Sequence, residues 1–589
     1  MTSFETLSST WQRSQREALS KVDALYEKLS AGGRENIFIH LLSQDEARKE
    51  VEKAYSSHAA GSLAGMLIAV KNNIDVAGFD TTAACPGFSY RPAEDSEAVA
   101  ALRAEGAVII GVTNLDQFAT GLVGTRSPYG AVSDSRVLER ISGGSSSGSA
   151  VSVAFDLVDA ALGTDTAGSG RVPAGLQGIV GIKPTLGTIS SLGLVPACAS
   201  YDTITVFAKD LPQARAVAAV VAKTGRRTRP KDLKLSAPLH PVIGIPRELP
   251  ALSDTWKLEF ERAVSRLADL GFETKAIDLA PSLEAAKMLY ESALVAERTE
   301  SVGTFISEHA DDPDAVGIDP VVASIVESGS KFSAVEVLRA QRELQRKKVK
   351  ALEQWEGVDA VMVPTAPFHP DISTVASDPI AVNSAMGTYT NFCNLFDLCA
   401  IAVPSSEAPD GGTLGSKLPA QFGVTLLAAT FEDGVIDDIA GRFLGLEENQ
   451  ATWMTTTSED AQQLVSLAVF GAHLRDQPLN VEMRAHGAAF IGEIETTDNY
   501  SLYALNTVPP KPGLVVVQEG GAAIKGEEWL ISKAELGEFL SNLPAPMTLG
   551  LVTLSNGKTV VGFSCQPSAL EDATDITALG GWRPYVYKG

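Results

Sequence analysis

Two Gly/Ser segments constrain this chain more than anything else in it: Ser142–Ala150 (SGGSSSGSA) and Gly163–Arg171 (GTDTAGSGR), with twelve residues between them. Stretches so rich in small residues are commonly flexible tethers. Here they flank an apolar run, Val151–Leu162, and the second leads straight into VPAGLQGIVGIKP. That setting predicts tight turns inside a core. A phosphate loop is excluded, because neither segment carries G-x-x-x-x-G-K-[ST]. What remains is a nucleophile turn built from Thr166, Ala167, Gly168 and Ser169. Small residues let backbone approach a ligand closely. Successive N–H groups aimed at one point stabilise a developing oxyanion. A serine in such a turn is a nucleophile, and it needs a base.

Histidine is the usual base, and the chain has seven, none near these serines in sequence. A triad assembled in space does not require such nearness. The elbow pattern G-x-S-x-G matches badly, because Gly168-Ser169-Gly170 has the wrong spacing. Lys71 offers another route, since it ends the apolar run Met66–Val70. Burial lowers a lysine's pKa, so its neutral amine can take a proton near neutrality. From position alone, a lysine that snorkels to solvent is the commoner outcome.

Charge narrows the partners. Lys+Arg number 48 against 72 Asp+Glu, a formal net charge of −24, which argues against nucleic acid or an anionic membrane surface. A small anionic substrate feels only its own pocket and stays allowed. The polar N-terminus has no signal-peptide core. The apolar run Ala216–Ala222 is too short to span a bilayer. Cys85, Cys198, Cys393, Cys399 and Cys565 lack C-x-x-C spacing, which fits reduced thiols in the cytoplasm.

At about 150 residues per domain, 589 residues allow two to four domains. Residues 1 to 60 read as helical. Strand and helix signals then alternate: strands at Met66–Val70, Ala107–Val112 and Val358–Val363, helices at Asp95–Glu105 and Trp256–Leu270. The expectation is an α/β domain with a large mixed sheet over 1–446. Residues 447–463 (EENQATWMTTTSEDAQQ) read as a linker. A smaller, β-rich α+β domain over 464–589 follows, with strands at Leu467–Phe470, Ala488–Ile494, Leu514–Gln518 and Thr559–Phe563.

Lys71, SGGSSSGSA and GTDTAGSGR, taken together, resemble the amidase signature family of serine hydrolases. Lys71 to Ser145 is 74 residues and Ser145 to Ser169 is 24, in agreement with that family. The likeness covers residues 60 to 445. Ser147 departs from it, where many members have Gly. The resemblance implies a Ser–Ser–Lys triad: Ser169 as nucleophile, Ser145 as the bridging serine after a cis peptide bond, and Lys71 as base. It implies an oxyanion hole from the N–H groups of Thr166, Ala167, Gly168 and Ser169. Asp165 and Arg171 are expected to pair and hold the turn. Ser146 and Ser149 are expected to hydrogen-bond the turn and the lysine. No metal or organic cofactor is implied.

Within the family, GTDTAGSGRVPAG and GTYTNFCNLFDLCAIAVP (Gly387–Pro404) look like the allophanate hydrolases. These act on a small ureido carboxylate, which asks for a fixed cation, and arginine binds a carboxylate bidentately. Tyr290 and Arg298 are eight residues apart, which on one helix is about 80° past two whole turns, so both would share a face. This pair resembles the carboxylate-binding pair of that subgroup, although an arginine in a charged run is more often exposed. Gly121 is expected near the pocket by its backbone. Leu467–Asn480 (LAVFGAHLRDQPLN) and Ile524–Ser532 (IKGEEWLIS) resemble the γ-glutamyl cyclotransferase-like domain that follows in allophanate hydrolases. There, His473 is the candidate for loss of CO2 from the first product, with His486 second, and a purely architectural role stays open. The resemblance further implies a homodimer, within a larger urea- or triazine-degrading assembly in some members. Another amidase of the family, or an amidotransferase-type subunit, remains the alternative.

Overall fold

Short apolar runs closed by Gly, Pro or polar turns become the strands of one 11-stranded mixed sheet. The computed structural model describes residue 11 and residues 13–408, 419–446 and 462–587. Most of the expected linker, 447–461, lies outside the described residues. The strands are β1 (Phe38–Leu41), β2 (Leu67–Lys71), β3 (Val108–Thr113), β4 (Ala160–Asp165), β5 (Val180–Lys183), β6 (Thr203–Ala208), β7 (Val242–Pro246), β8 (Glu273–Ile277), β9 (Ala360–Pro364), β10 (Cys399–Ala408) and β11 (Ala420–Ala428). Their order is β1-β3-β2-β4-β6-β5-β10-β11-β9-β7-β8. β3, β2 and β4 run parallel, as do β9, β7 and β8, and the remaining pairs are antiparallel.

Helices cover the sheet. On one side Ala18, Val22 and Leu25 of helix Gln15–Ser30 and Val51 of helix Gln44–His58 pack with Leu67, Ala69, Val108 and Ile110. The first 60 residues are thus not wholly helical: between these helices lies β1, which pairs antiparallel with β3 at the sheet edge. The expected helices form as Glu97–Ala104, where Ser96 Oγ accepts from the Val99 N–H, and Asp254–Asp269. Gly106 and Gly271 follow them with φ of 83° and 75°, the left-handed stop that glycine adopts most easily. Among the described residues, no helix is long and apolar enough to cross a membrane.

The register of β2 on β4 matters most for function. Val70 lies beside Leu162, so Lys71 ends β2 level with the last residues of β4. The chain then leaves β4 into the Thr166–Ser169 turn and enters helix Val172–Gln177, with Pro173 in its first turn. Helix Ser147–Ala154 starts directly after Ser145-Ser146. Both Gly/Ser segments are fully buried, as the flanking apolar run predicts, with turns at Ser142–Ser146 and Thr166–Arg171 between helix and strand residues.

The chain divides into two units. The one just described takes Ser8–Arg227 and Val242–Ile436; the second takes Thr228–Pro241 with Asp437–Gly589. The second unit is β-rich, as expected. It has a five-stranded sheet of β12 (Leu464–Val469), β13 (Ala489–Glu495), β16 (Lys525–Ser532), β17 (Met547–Thr553) and β18 (Thr559–Cys565), in the order β13-β16-β12-β18-β17. A three-stranded sheet joins β14 (Tyr500–Leu505), β15 (Lys511–Val516) and β19 (Thr574–Asp575) in the order β15-β14-β19. Within this unit Leu235 N–H donates to Gly487 O, Ser236 Oγ donates to Ala488 O at 2.7 Å, and Arg484 Nε donates to Ala237 O at 3.1 Å.

Candidate active site

The structure brings Lys71, Ser145 and Ser169 into one buried chain of hydrogen bonds. Lys71 Nζ lies 2.8 Å from Ser145 Oγ, and Ser145 Oγ lies 2.9 Å from Ser169 Oγ. The Gly144–Ser145 peptide is cis. All three side chains are at most 2% exposed. Burial pulls Lys71 from the ordinary ammonium range down to about 7, against the pull of Asp116, Asp202 and Asp165. A lysine so placed shares its proton near neutral pH. As drawn, the ammonium donates to Ser145, which donates to Ser169. Hydroxyls rotate, so the same spacing serves the reverse order, with Ser169 donating to Ser145 and Ser145 to a neutral amine.

Several groups hold this chain in place. Thr164 Oγ1 accepts from Lys71 Nζ at 2.7 Å. This is the lysine's second hydroxyl partner, rather than Ser146 or Ser149. Ser146 Oγ donates to Thr164 O, and Ser149 Oγ to Leu162 O, so both stitch the first Gly/Ser segment to β4. Asp116 accepts the N–H groups of Val123, Gly124 and Arg126. A Cβ on Gly144 would lie 2.0 Å from Asp116 Oδ2, and one on Gly121 would lie 2.6 Å from it, so both positions must be glycine. Gly121 is explained by that contact, and it sits beside Thr120, which meets the arginine described below.

The nucleophile turn hangs on a buried ion pair. Arg171 and Asp165 meet at 2.9 Å with no exposure, as expected. Asp165 also accepts the N–H groups of Gly168 and Gly170 at 2.9 and 2.8 Å. The Gly168 N–H is therefore taken by Asp165, which removes it from the expected oxyanion set and leaves Thr166, Ala167 and Ser169. Gly168 has φ of 134°, and a Cβ there would lie 2.3 Å from Thr390 Oγ1. Thr390 Oγ1 in turn donates to Ala167 O at 2.7 Å.

Tyr290 and Arg298 meet, but not on one helix. The chain breaks between helix Met288–Glu291 and helix Ala296–Glu308, with Ser292 extended. Arg298 Nη2 still donates to Tyr290 Oη at 3.0 Å, and its Cζ lies 4.9 Å from the Tyr290 ring centroid. Arg298 Nη1 donates to Thr120 Oγ1 at 2.8 Å. Thr120 carried no signal in the sequence. Arg298 is 1% exposed, its Nε donates to nothing, and among the described residues no carboxylate is hydrogen-bonded to it. Burial opposes its charge, but Tyr290, Cys198, Asp202 and Glu297 hold it protonated. A buried guanidinium bonded only to two hydroxyls has room, in charge and in donors, for one carboxylate.

In the second unit His473 and His486 line a cavity of about 470 Å³ together with Phe470, Lys511, Phe539 and Phe563. His473 stacks on Phe563 with centroids 4.8 Å apart, and its Nε2 lies 3.0 Å from Glu482 Oε2. Burial holds His473 below the usual imidazole range, against the raising effect of Glu482. His486 Nδ1 meets Glu535 Oε2 at 2.8 Å. Glu527, in the Gly-Glu strand, is occupied by Arg475, Trp529 and Arg583.

Comparison with known proteins agrees with this geometry. The Amidase family model matches residues 22–433, and the model of the allophanate hydrolase C-terminal domain matches residues 465–587. Urea amidolyase of Saccharomyces cerevisiae is 38% identical over 605 aligned positions, covering 97% of this chain and 32% of that protein. Urea amidolyase of Lachancea kluyveri is 40% identical, over 89% of this chain and 30% of that one. The chain thus spans about a third of the length of these curated relatives. The solved structure of Kluyveromyces lactis allophanate hydrolase superposes with a TM-score of 0.85 at 36% identity, covering 98% of this chain and 100% of that one. The resemblance read from Lys71 and the two Gly/Ser segments is borne out, as is the large mixed sheet with a smaller β-rich part. The chain belongs to the amidase family, as an amidohydrolase whose amidase domain is followed by an allophanate hydrolase C-terminal domain.

Proposed function

We propose that the chain hydrolyses allophanate, the carboxylate of urea, through an acyl-enzyme on Ser169. The observation that carries this reading is Arg298, a buried cation to which no carboxylate among the described residues is hydrogen-bonded, held by Tyr290 and Thr120 in the same unit as a Lys–Ser–Ser relay. The substrate's carboxylate takes the free face of the guanidinium. Neutral Lys71 draws the Ser169 proton through Ser145, and Ser169 Oγ attacks the terminal ureido carbonyl. The carbonyl electron pair moves to oxygen, where the N–H groups of Thr166, Ala167 and Ser169 meet the charge. Collapse breaks the bond to the terminal nitrogen, which leaves as ammonia with the proton returned through Ser145. Water then attacks the acyl ester by the same relay and releases N-carboxycarbamate.

That product loses CO2 to give carbamate, and we assign this second step to His473 in the C-terminal cavity. Glu482 holds its imidazole, and Phe563 stacks on it. The dimer implied by the family and a cytoplasmic location, which five free buried thiols suit, belong to the same reading.

The test is release of ammonia and of CO2 from allophanate by the purified chain, with a simple neutral amide as control. Wild type turns over allophanate. Ser169→Ala releases nothing, Arg298→Ala loses allophanate activity far more than neutral-amide activity, and His473→Ala keeps ammonia release while CO2 lags. A better rate on the neutral amide, with Arg298→Ala unchanged, would make the enzyme a general amidase. Light scattering checks the dimer.

A further inference from the structure

Asp202 stands between the two halves of this site, and no step above uses it. It precedes β6 and is buried. Its Oδ1 accepts from Thr166 Oγ1, in the nucleophile turn. Its Oδ2 accepts the N–H groups of Ala197 and Cys198 at 2.7 and 3.0 Å. The loop that supplies those N–H groups is tied to the arginine helix. Ser301 Oγ donates to Pro196 O at 2.6 Å, and Ser200 N–H donates to Glu297 Oε2 at 2.9 Å. A continuous run of hydrogen bonds therefore leads from the helix of Arg298, through Asp202, to Thr166.

We propose that Asp202 is a positioning residue for acyl transfer: its ionised carboxylate fixes Thr166, and with it the oxyanion turn, against the loop that braces the arginine helix. The inference rests on the reading that Ser169 is the nucleophile. Three donors converge on the two oxygens of Asp202. A proton on the carboxyl reverses the Thr166 contact, so that the carboxyl O–H donates to Thr166 Oγ1 and the threonine's own proton loses its charged acceptor. An asparagine makes the same reversal, since its amide N–H donates to Thr166 Oγ1 and offers the threonine proton no charged acceptor.

The electrostatics supply the readout. The charged and titratable groups facing Asp202 are Lys71 from β2, Arg298 from its helix and Cys198 from its own loop; Glu297 also acts on Arg298. Burial raises Asp202 to about 6, while Thr166, the two N–H groups and Arg298 pull it down. Lys71 lies at about 7. Two protons must then leave for full activity, one from each group. Log kcat rises with pH at a slope of about 2 below both values and about 1 between them.

The experiment measures initial rates of ammonia release from allophanate, read in the first seconds after jumps to pH values from about 5 to 8. Asp202→Asn is expected to lose about 10- to 100-fold in kcat with KM changed little, and its limiting slope falls to about 1. Thr166→Val behaves alike, and Thr166→Ser restores the wild-type rate and slope. The Thr166 pair keeps the test decisive should Asp202→Asn fold poorly. Wild-type kcat and slope in Asp202→Asn, or in Thr166→Val, overturn the proposal. A loss confined to KM overturns it too. Ser169→Ala in the same assay separates the two claims. If it stays active, the nucleophile reading falls. If it is dead while the Asp202 and Thr166 variants match wild type, only the role of Asp202 falls.

Discussion

Replacing Arg298 by methionine should move activity and stability in opposite directions. In the free enzyme this guanidinium is 1% exposed and makes hydrogen bonds only to the Thr120 and Tyr290 hydroxyls. Losing those bonds costs about 1 kcal/mol each, and the contact with the Tyr290 ring about 1–2 kcal/mol. Against that, a charge held out of water is relieved, worth several kcal/mol. The sum is near zero or stabilising. With substrate bound the balance reverses, because Arg298→Met leaves a buried carboxylate unpaired, at about 3–5 kcal/mol. At 1.4 kcal/mol per tenfold, that is a loss of roughly 100- to several-thousand-fold in kcat/KM for allophanate. The assay pairs kcat/KM with thermal unfolding, with and without a small dicarboxylate. Arg298→Met is expected to keep or raise Tm, to lose the dicarboxylate's stabilisation, and to retain activity on a neutral amide. A lowered Tm with unchanged kcat/KM on allophanate would refute the reasoning and make Arg298 a structural group.

Lys71 makes a pH prediction of stability as well as rate. Its folded pKa of about 7 lies below the unfolded value of about 10.4, so between them the unfolded chain binds the extra proton. Stability should therefore rise with pH across that window by up to about 1.4 kcal/mol per unit, and Lys71→Met should lack this slope while losing activity; equal slopes in urea titrations would count against it. Thr164→Val removes an acceptor that favours the ammonium, so the rate–pH midpoint should fall below 7 and kcat should drop about 5- to 10-fold. Gly168→Ala puts a Cβ 2.3 Å from Thr390 Oγ1 at a φ of 134°, and should lower stability by about 1–3 kcal/mol together with activity. Denaturant unfolding beside an ammonia assay checks both effects.

The strands and helices that could be read from sequence were those whose signal is local. Met66–Val70 and Ala107–Val112 are apolar throughout because both faces of β2 and β3 are covered. β1 escaped because FIHL is four residues long, only partly buried, and defined by its partner β3 some 70 residues away. The relay was legible only as a resemblance, since nothing in a lysine at a strand end says that a hydroxyl lies 2.8 Å from it. Tyr290 and Arg298 were paired by a resemblance and by a shared helix, and the second reason does not hold. The extended Ser292 redirects the chain, and the contact forms across the break. Thr120 and Asp202 gave no signal, and Thr164 none beyond its place in the second Gly/Ser segment, because each acts on a partner between 36 and 178 residues distant. Ordinary residue types in ordinary dipeptides become site residues only through such tertiary contacts.

The grouping of Thr228–Pro241 with the C-terminal residues bears on how the protein can be dissected. Among the described residues the chain passes between the units three times, after Arg227, after Pro241 and after Ile436, so the second unit is not a tail hung on one tether. Cutting near residue 446 would strip the 228–241 strap of its Gly487, Ala488 and Arg484 bonds, and leave it its bonds to Asp438 and Arg442. A fragment prepared to isolate the amide-cleaving half would carry that segment into solution with only part of its hydrogen bonds. A cleaner excision replaces 228–241 by a short flexible bridge and ends the chain after helix Asp433–Phe443, at Leu446.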